Sequence, residues 1–372
     1  MELNELRNEI DKIDSDILRS FETRMDICRK IAEFKRVNNV AVFQGNREAE
    51  IIERIRSASA PELADGASAL FKVIMDISKS IQQQELLNGC VFAQGKPLDL
   101  SSAVKIGCQG IKGANSELAA KKLFGEDKEI CFFHEFDNVF SAVEKGYIDF
   151  GVIPIQNSTA GSVTQTYDLL KRYNLYIAKT VCIEISHCLA VKKGTSAENI
   201  EKIYSHPQAL YQCSRYIKEN GFETVSYENT ATAARLAAES TEAIGAICSE
   251  DCAQMYGLEI VKRDIANSLP NYTRFICVSK ELLIDDSAKT ISVMLTLPNT
   301  QGSLYRLLTK FFAAGLNLEK LESRPLAGGS FNVSFYLDFE GSIRDNRVSA
   351  LLTELAAELE DFRFLGNFSE KL

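Results

Sequence analysis

Apolar residues recur at Leu3, Leu6, Ile10, Ile13, Ile17, Phe21, Cys28 and Ile31. This is the three-and-four spacing of one helix face, and the stripe runs unbroken toward Val37. At about 1.5 Å per residue such a helix is roughly 55 Å long. It is too long for a domain of this size and needs partners along its length. A second helix is predicted from near Asn46, with Ile51, Ile52 and Ile55 on its buried side. A third is predicted from about Ser68 to Leu87, through Leu70, Phe71, Ile74, Ile77 and Ile81, with residues 59–66 as the break between them. An intertwined helical dimer is the natural way to bury these stripes.

Residues 89–102, with Gly89, Gly95 and Pro97, read as a linker, after which strands and helices alternate. Val104 to Cys108 is a predicted strand, Ser116 to Phe124 a helix, and Phe150 to Ile155 a strand that runs into Gln156–Ser162. A helix through Tyr167 and Leu170 follows. Alternation of this kind predicts α/β layers. The last segment reads as strand (Ile291 to Leu297), helix (Gly302 to Ala314), strand (Leu318 to Glu322) and strand (Phe331 to Phe339). A helix from Asn346 to Leu359 and a short strand at Phe362 to Leu365 complete a ferredoxin-like βαββαβ unit. The expected domains are residues 1–90, all-helical; 103–280, a two-lobed α/β body; and 288–372, the βαββαβ unit.

Composition narrows the function classes. A chain of 372 residues is too long for one core, so two or three domains are expected. The net charge of -9 argues against a general nucleic-acid binder, though a few cations in a pocket still suit an anionic small substrate. The chain begins Met-Glu-Leu-Asn-Glu-Leu, without a basic start or an apolar core, and no apolar run is long enough to span a bilayer. A cytoplasmic protein is expected. The 10 cysteines are scattered, with no Cys-x-x-Cys pair, and read as reduced thiols. His134, His187 and His206 are too dispersed for a His-rich metal site. No metal or redox cofactor is implied.

Polar residues interrupting the helical stripes carry the first candidate chemistry. Arg24 and Lys35, eleven positions apart, fall nearly in line on the face of Ile17, Cys28 and Ile31. Ser78 and Gln82 share one face of the third helix, while Arg47 and Glu48 open the second. Cations and amides directed into an apolar interior are costly unless an anion pairs with them. The bland alternative is a set of charges snorkelling at a helix rim. Arg7 lies off the stripe, placed to reach a neighbouring subunit. The set resembles the all-helical chorismate mutases. That resemblance implies that Arg7, Arg24 and Arg47 hold the substrate's two carboxylates. It implies further that Lys35 and Gln82 donate to the ether oxygen, and that Glu48 and Ser78 complete the pocket. Gln44 stands where relatives often place an acidic residue, so altered affinity is expected there.

In the central segment three junctions rich in small polar residues are predicted to start helices: Asn157-Ser158-Thr159, Ser205-His206-Pro207-Gln208 and Asn229-Thr230-Ala231-Thr232. Amides and hydroxyls at helix N-termini bind carboxylates, although ordinary capping explains any one of them. Ser205 to Leu210 with Gln212-Cys213, and Asn271-Tyr272-Thr273-Arg274-Phe275, resemble the prephenate dehydratases. The resemblance implies loss of a ring hydroxyl as water together with CO₂, with Thr273 essential as donor to the leaving hydroxyl. Arg274 then either binds a carboxylate or supports the loop. Asn157, Ser158, Ser205, His206 and Thr230 are further candidate substrate contacts. Two positions depart from the family: Gln156 replaces a usual glutamate, and Ala114-Asn115 replace a hydroxyl-aromatic pair after Gly113. A slow or silent dehydratase is one consequence.

Glu322-Ser323-Arg324-Pro325 and Gly315-Leu316-Asn317-Leu318 resemble the regulatory ACT domains of phenylalanine-controlled dehydratases. This implies an effector site for L-phenylalanine, shared between paired domains and drawing on Gly302, Ser303, Leu304, Asn317, Leu318 and residues 322–325. A dimerisation module without a ligand is the alternative. The expected protein is a homodimeric enzyme acting on chorismate and prephenate, with no nucleic-acid or membrane partner. A mutase fused to a silent, phenylalanine-binding regulator is the second reading, and arogenate in place of prephenate stays open. An exported solute-binding protein with a similar two-lobed cleft is disfavoured by the mutase-like segment.

Overall fold

The computed structural model describes residues 3–38, 45–86, 95–325, 333–359 and 361–371. Gln44, Gly89 and Phe331 therefore lie outside the described residues. The chain divides into two compact units, residues 1–94 with 289–365 and residues 95–288 with 366–372.

The first unit opens with helices α1 (Leu3–Asn38), α2 (Gly45–Ala58) and α3 (Ala64–Leu86). The break between α2 and α3 is shorter than its Pro and Gly content predicts. A 3₁₀ turn at Pro61–Leu63 leads directly into α3, because proline's fixed φ suits a first helical position. Helix α3 packs on both α1 and α2. It covers only the C-terminal part of α1, where Met25, Cys28, Ala32 and Lys35 are buried. Leu3, Ile10, Ile13 and Ile17 stay more than half exposed, and Ile31 is exposed too. The expected burial of Ile17 and Ile31 is thus not achieved within one chain. With 23 residues against 36, α3 cannot run the length of α1.

The second unit begins with β1 (Lys96–Pro97), β2 (Ile106–Gln109), α4 (Asn115–Phe124), β3 (Ile130–Phe133), α5 (Phe136–Glu144), β4 (Phe150–Asn157), β5 (Gly161–Ser162), α6 (Thr164–Arg172) and β6 (Tyr176–Glu184). The chain continues through β7 (Cys188–Lys192), β8 (Lys202–Ser205), α7 (Pro207–Gln212), α8 (Ser214–Glu219), β9 (Glu223–Ser226), α9 (Thr230–Glu239), β10 (Ile244–Cys248), α10 (Glu250–Met255) and β11 (Leu258–Lys262). It then returns with β12 (Tyr272–Ser279) and β13 (Leu283–Ile284). The C-terminal segment supplies β14 (Thr290–Leu297), α11 (Ser303–Ala313), β15 (Leu318–Pro325), β16 (Val333–Glu340), α12 (Asn346–Glu358), β17 (Phe362–Phe368) and β18 (Glu370–Lys371).

Within the second unit, β18, β6, β12, β4, β2 and β3 lie side by side in one sheet, with β5 added on β4. A separate sheet runs β11-β7-β10-β8-β9. The chain thus builds one lobe, completes a second, and comes back through β12 to the first. Lys96–Pro97, expected in a linker, instead pairs in parallel with Leu283–Ile284. In the first unit the C-terminal strands follow the order β15-β16-β14-β17, the antiparallel ferredoxin-like sheet that the sequence pattern predicts.

Residue 151 shows how closely the first lobe packs. A Cβ at Gly151 would come 2.7 Å from Val139 of α5 and 3.1 Å from Val143 and Val278. Gly151→Ala should therefore lower stability by about 1–3 kcal/mol through overpacking, read as a reduced urea midpoint with unchanged slope.

Candidate active sites

In the second unit, β4 and β12 run antiparallel with Asn157 opposite Thr273. The Asn157 amide nitrogen donates to Thr273 Oγ1 at 2.9 Å, to Asn271 Oδ1 at 2.8 Å and to the Tyr272 carbonyl at 3.1 Å. Its oxygen accepts from the Thr159 and Ala160 amides, from the Thr159 hydroxyl and from Gln212. A hydroxyl has one proton to give and two lone pairs. Asn157 donates to Thr273 Oγ1, so the Thr273 proton stays available to another acceptor, and the residue lines a cleft.

That cleft holds about 320 Å³. Its walls come from both lobes: Asn115, Ser116, Asn157 and Thr273 on one side, His206, Gln208, Gln212, Asn229 and Thr230 on the other. Phe136, Pro154, Val163 and Phe275 supply apolar surface. The starts of α4, α7 and α9 all border it. His206 caps α7 by accepting from Gln208 N at 3.2 Å, and Asn229 caps α9 by accepting from Thr232 N at 2.8 Å. Among the described lining residues there is no lysine or arginine. An anion there meets amides, hydroxyls and helix N-termini.

Of the three junctions expected to start helices, two do so. Asn157-Ser158-Thr159 instead turns from β4 into β5, and α6 begins only at Thr164. Three predicted contacts are corrected. Ser205 is fully buried and donates to the Ile247 carbonyl at 2.6 Å. Ser158 accepts from the Tyr272 amide at 2.9 Å and does not line the cleft. Arg274 follows Thr273 on the same strand, so its side chain takes the opposite face, where it donates to Glu370 at 2.7 Å. Gln156 is Cα-paired with Arg274 and shares that face. The departure at Gln156 thus falls off the cleft, whereas Ala114-Asn115 border it.

His187 and Gln212 were not singled out as site residues. His187 Nε2 lies 2.9 Å from Gln212 Oε1, and Gln212 donates to Thr159 Oγ1 at 2.7 Å. Gln212 stands beside a recognised motif; nothing in the sequence flags His187. Burial lowers the pKa of both His187 and His206.

In the first unit Arg24 donates to Ser78 across α1 and α3, and to Cys28 Sγ at 3.8 Å. Ser78 donates to the Ile74 carbonyl at 2.6 Å. Lys35, Ser78 and Gln82 are all buried. Gln82 Oε1 has no hydrogen-bond partner among the described residues. Burial lowers the Lys35 pKa, opposed by Cys28 and by Glu48. Arg47 is exposed and pairs with Glu50 at 2.9 Å. Arg7 lies 17 residues before Arg24 on α1, about 26 Å away, too far for one site within a single chain.

Residues 6–83 match the family model for chorismate mutase type II, and residues 106–282 match that for prephenate dehydratase. A bifunctional chorismate mutase/prephenate dehydratase of Aquifex aeolicus is 32% identical over 377 residues, spanning 100% of this chain and 99% of its own. The chain belongs to the bifunctional chorismate mutase/prephenate dehydratases. It rearranges chorismate to prephenate and converts prephenate to phenylpyruvate with loss of water and CO₂.

Other relatives of the dehydratase part agree. Arogenate dehydratase/prephenate dehydratase 2 of Arabidopsis thaliana is 36% identical over 280 residues, covering 72% of this chain and 73% of its own. The solved prephenate dehydratase of Arthrobacter aurescens, in complex with L-Phe, superposes with a TM-score of 0.66 at 29% identity, covering 72% of this chain and 90% of that one.

Among the described residues no helix is long and apolar enough to cross a membrane. The ACT-like residues of this bifunctional enzyme do not gather within one copy. Gly302, at φ 77°, caps α11, and its neighbour Ser303 lies 2.7 Å from the Thr300 hydroxyl. Leu297, Val333 and Pro325 share one row of the sheet, which puts residues 322–325 at the same end as the start of α11. Asn317 and Leu318 stand at the other end, since Leu318 and Ile291 both pair with Phe339.

The histidines set a pH dependence. A His pKa depressed in the fold means that the unfolded chain binds the proton first, near 6.5. Stability is therefore full above 6.5 and declines as pH falls through the lower folded value. Melting curves should show this decline, and His187→Gln should flatten it in part, with His206 supplying the rest.

Proposed function

We propose that the two activities reside in these two sites, with the mutase in residues 1–90, the dehydratase in 103–280 and the effector site in 288–372. In the mutase, Lys35 and Gln82 donate to the ether oxygen as its bond breaks, and Arg24 holds a carboxylate. Arg47 and the Arg7 of a second copy hold the other, while Glu48 and Ser78 complete the pocket. The rearrangement needs no nucleophile and no proton transfer, so a compact substrate conformer and fixed donors suffice. The exposed apolar stripe from Leu3 to Ile17 supports a homodimer in which a partner helix covers it.

In the dehydratase, the carboxylate leaves as CO₂, its bonding electrons enter the ring, and the ring hydroxyl departs as aromaticity forms. Thr273 hydrogen-bonds that hydroxyl. The observation that carries this reading is the Asn157–Thr273 bond of 2.9 Å, which leaves the Thr273 proton available to another acceptor. His206, Thr230 and the starts of α4 and α9 receive the substrate's charge, while Asn157 holds Thr273 in place. Neutral donors suit prephenate, and arogenate, in which an ammonium group replaces the side-chain keto oxygen while both carboxylates remain, is the competing substrate.

L-Phenylalanine, bound between paired βαββαβ units near Gly302–Leu304 of one copy and Asn317–Leu318 with residues 322–325, provides feedback. The enzyme works in the cytoplasm, without a nucleic-acid partner.

Lys35→Ala should lower mutase kcat by on the order of 10²–10³ with folding intact. Thr273→Val should abolish phenylpyruvate formation and leave mutase activity alone. Full mutase rate in the first variant, or phenylpyruvate formation in the second, refutes the corresponding assignment. With chorismate supplied to the wild type, phenylpyruvate should appear and L-phenylalanine should suppress it. Accumulation of prephenate alone would direct attention to Ala114-Asn115.

A further inference from the structure

Glu48, a residue of the proposed mutase pocket, is held by a buried lysine outside that pocket. Lys79, on α3 beside Ser78, is a buried cation. Its ammonium lies 3.0 Å from Asp76 Oδ1, 3.3 Å from Glu48 Oε1 on α2, and 3.3 Å from Glu358 Oε1 on α12. A second buried cation, Lys310 of α11, lies 3.0 Å from Glu358 Oε2 and also contacts Glu354. Burial opposes the charge on Lys79, but Glu358, Asp76 and Glu48 outweigh it and raise the pKa. Burial raises the Glu354 pKa. The chain Glu48–Lys79–Glu358–Lys310 thus joins the mutase helices to both helices of the βαββαβ segment.

Two further observations give this chain consequence. Glu48 also acts electrostatically on Lys35, favouring its charged form against burial. In addition, Glu48, Lys79, Lys310 and Glu358 line a cavity of about 540 Å³, which leaves the carboxylates room to re-pair. A buried ion pair that loses one member leaves an uncompensated charge, so the pairs in such a chain respond to one another.

We propose that Lys79 is a positioning residue for Glu48 in the mutase, and that by sharing its ammonium with Glu358 it ties that site to the C-terminal unit. The proposal rests on the reading of Glu48 as a mutase residue, and the experiment separates the two.

Mutase kcat and KM are measured on the full-length enzyme for Glu48→Gln, Lys79→Gln, Lys79→Arg and the Glu48→Gln/Lys79→Gln pair, with dehydratase turnover of prephenate as the internal control. Lys79→Gln should lower mutase kcat/KM roughly tenfold, and the double variant should be no slower than Glu48→Gln. Lys79→Arg should restore activity to within about threefold of the wild type, with the dehydratase unaffected throughout. Losses that multiply in the double variant would make Lys79 merely structural and overturn the proposal. Wild-type mutase rate in Glu48→Gln would instead overturn the reading of Glu48. Should Lys79→Gln fail to fold, Glu358→Gln keeps Lys79 in place. It should change mutase KM at least about threefold, but have no effect in the Glu48→Gln background. An unchanged KM would sink the link to the C-terminal unit.

Discussion

The side-chain amide of Asn157 organises the dehydratase. It is buried at the end of β4, and both of its polar atoms are engaged by β12, the turn after β4, and Gln212. β12 and Gln212 are far from β4 in sequence, and the amide ties them to it. A buried amide left unpaired carries a desolvation penalty of about 1–3 kcal/mol. The strand ends and the turn therefore have one arrangement that satisfies it. Within that arrangement the Thr273 hydroxyl accepts from Asn157 and keeps its proton for another acceptor.

The two candidate sites offer an anion different groups. The helices of the first unit bury Lys35 and half-bury Arg24, and the Gln82 oxygen has no hydrogen-bond partner among the described residues. The dehydratase cleft uses neutral donors and helix starts instead. The difference follows from the scaffolds. Long helices expose side chains but no free backbone groups along their length, so charge must come from Lys and Arg. An α/β body ends many short helices at one cleft, and each start presents unbonded amides.

How far the sites were legible depended on whether a local rule decided them. The cap at Asn229 follows from residue type beside a helix start, and the start of α7 follows from Pro207 at its first position, with His206 before it. Strand alternation would have separated Arg274 from Thr273, yet adjacency in a motif grouped them. The same alternation moves Gln156 off the cleft and leaves Ala114-Asn115 as the departure that borders it. Ser205 looked like a site hydroxyl because it precedes His206, but as the last residue of β8 it faces the core. His187 gave no local signal: its partner Gln212 is 25 residues away, at the end of α7.

The sequence pattern states a long apolar-striped helix, an alternation of strands and helices, and a closing βαββαβ unit, but not β1 or the turn from β4 into β5. These depend on periodicity and on turn residues within a few positions, which a linear chain states directly. Only the tertiary structure decided which polar groups meet. Thr273 with Asn157, Gln212 with His187, and Lys79 with both Glu48 and Glu358 are pairs between distant segments. Each is selected because burial leaves a polar group no solvent partner, and that burial exists only once the segments have packed.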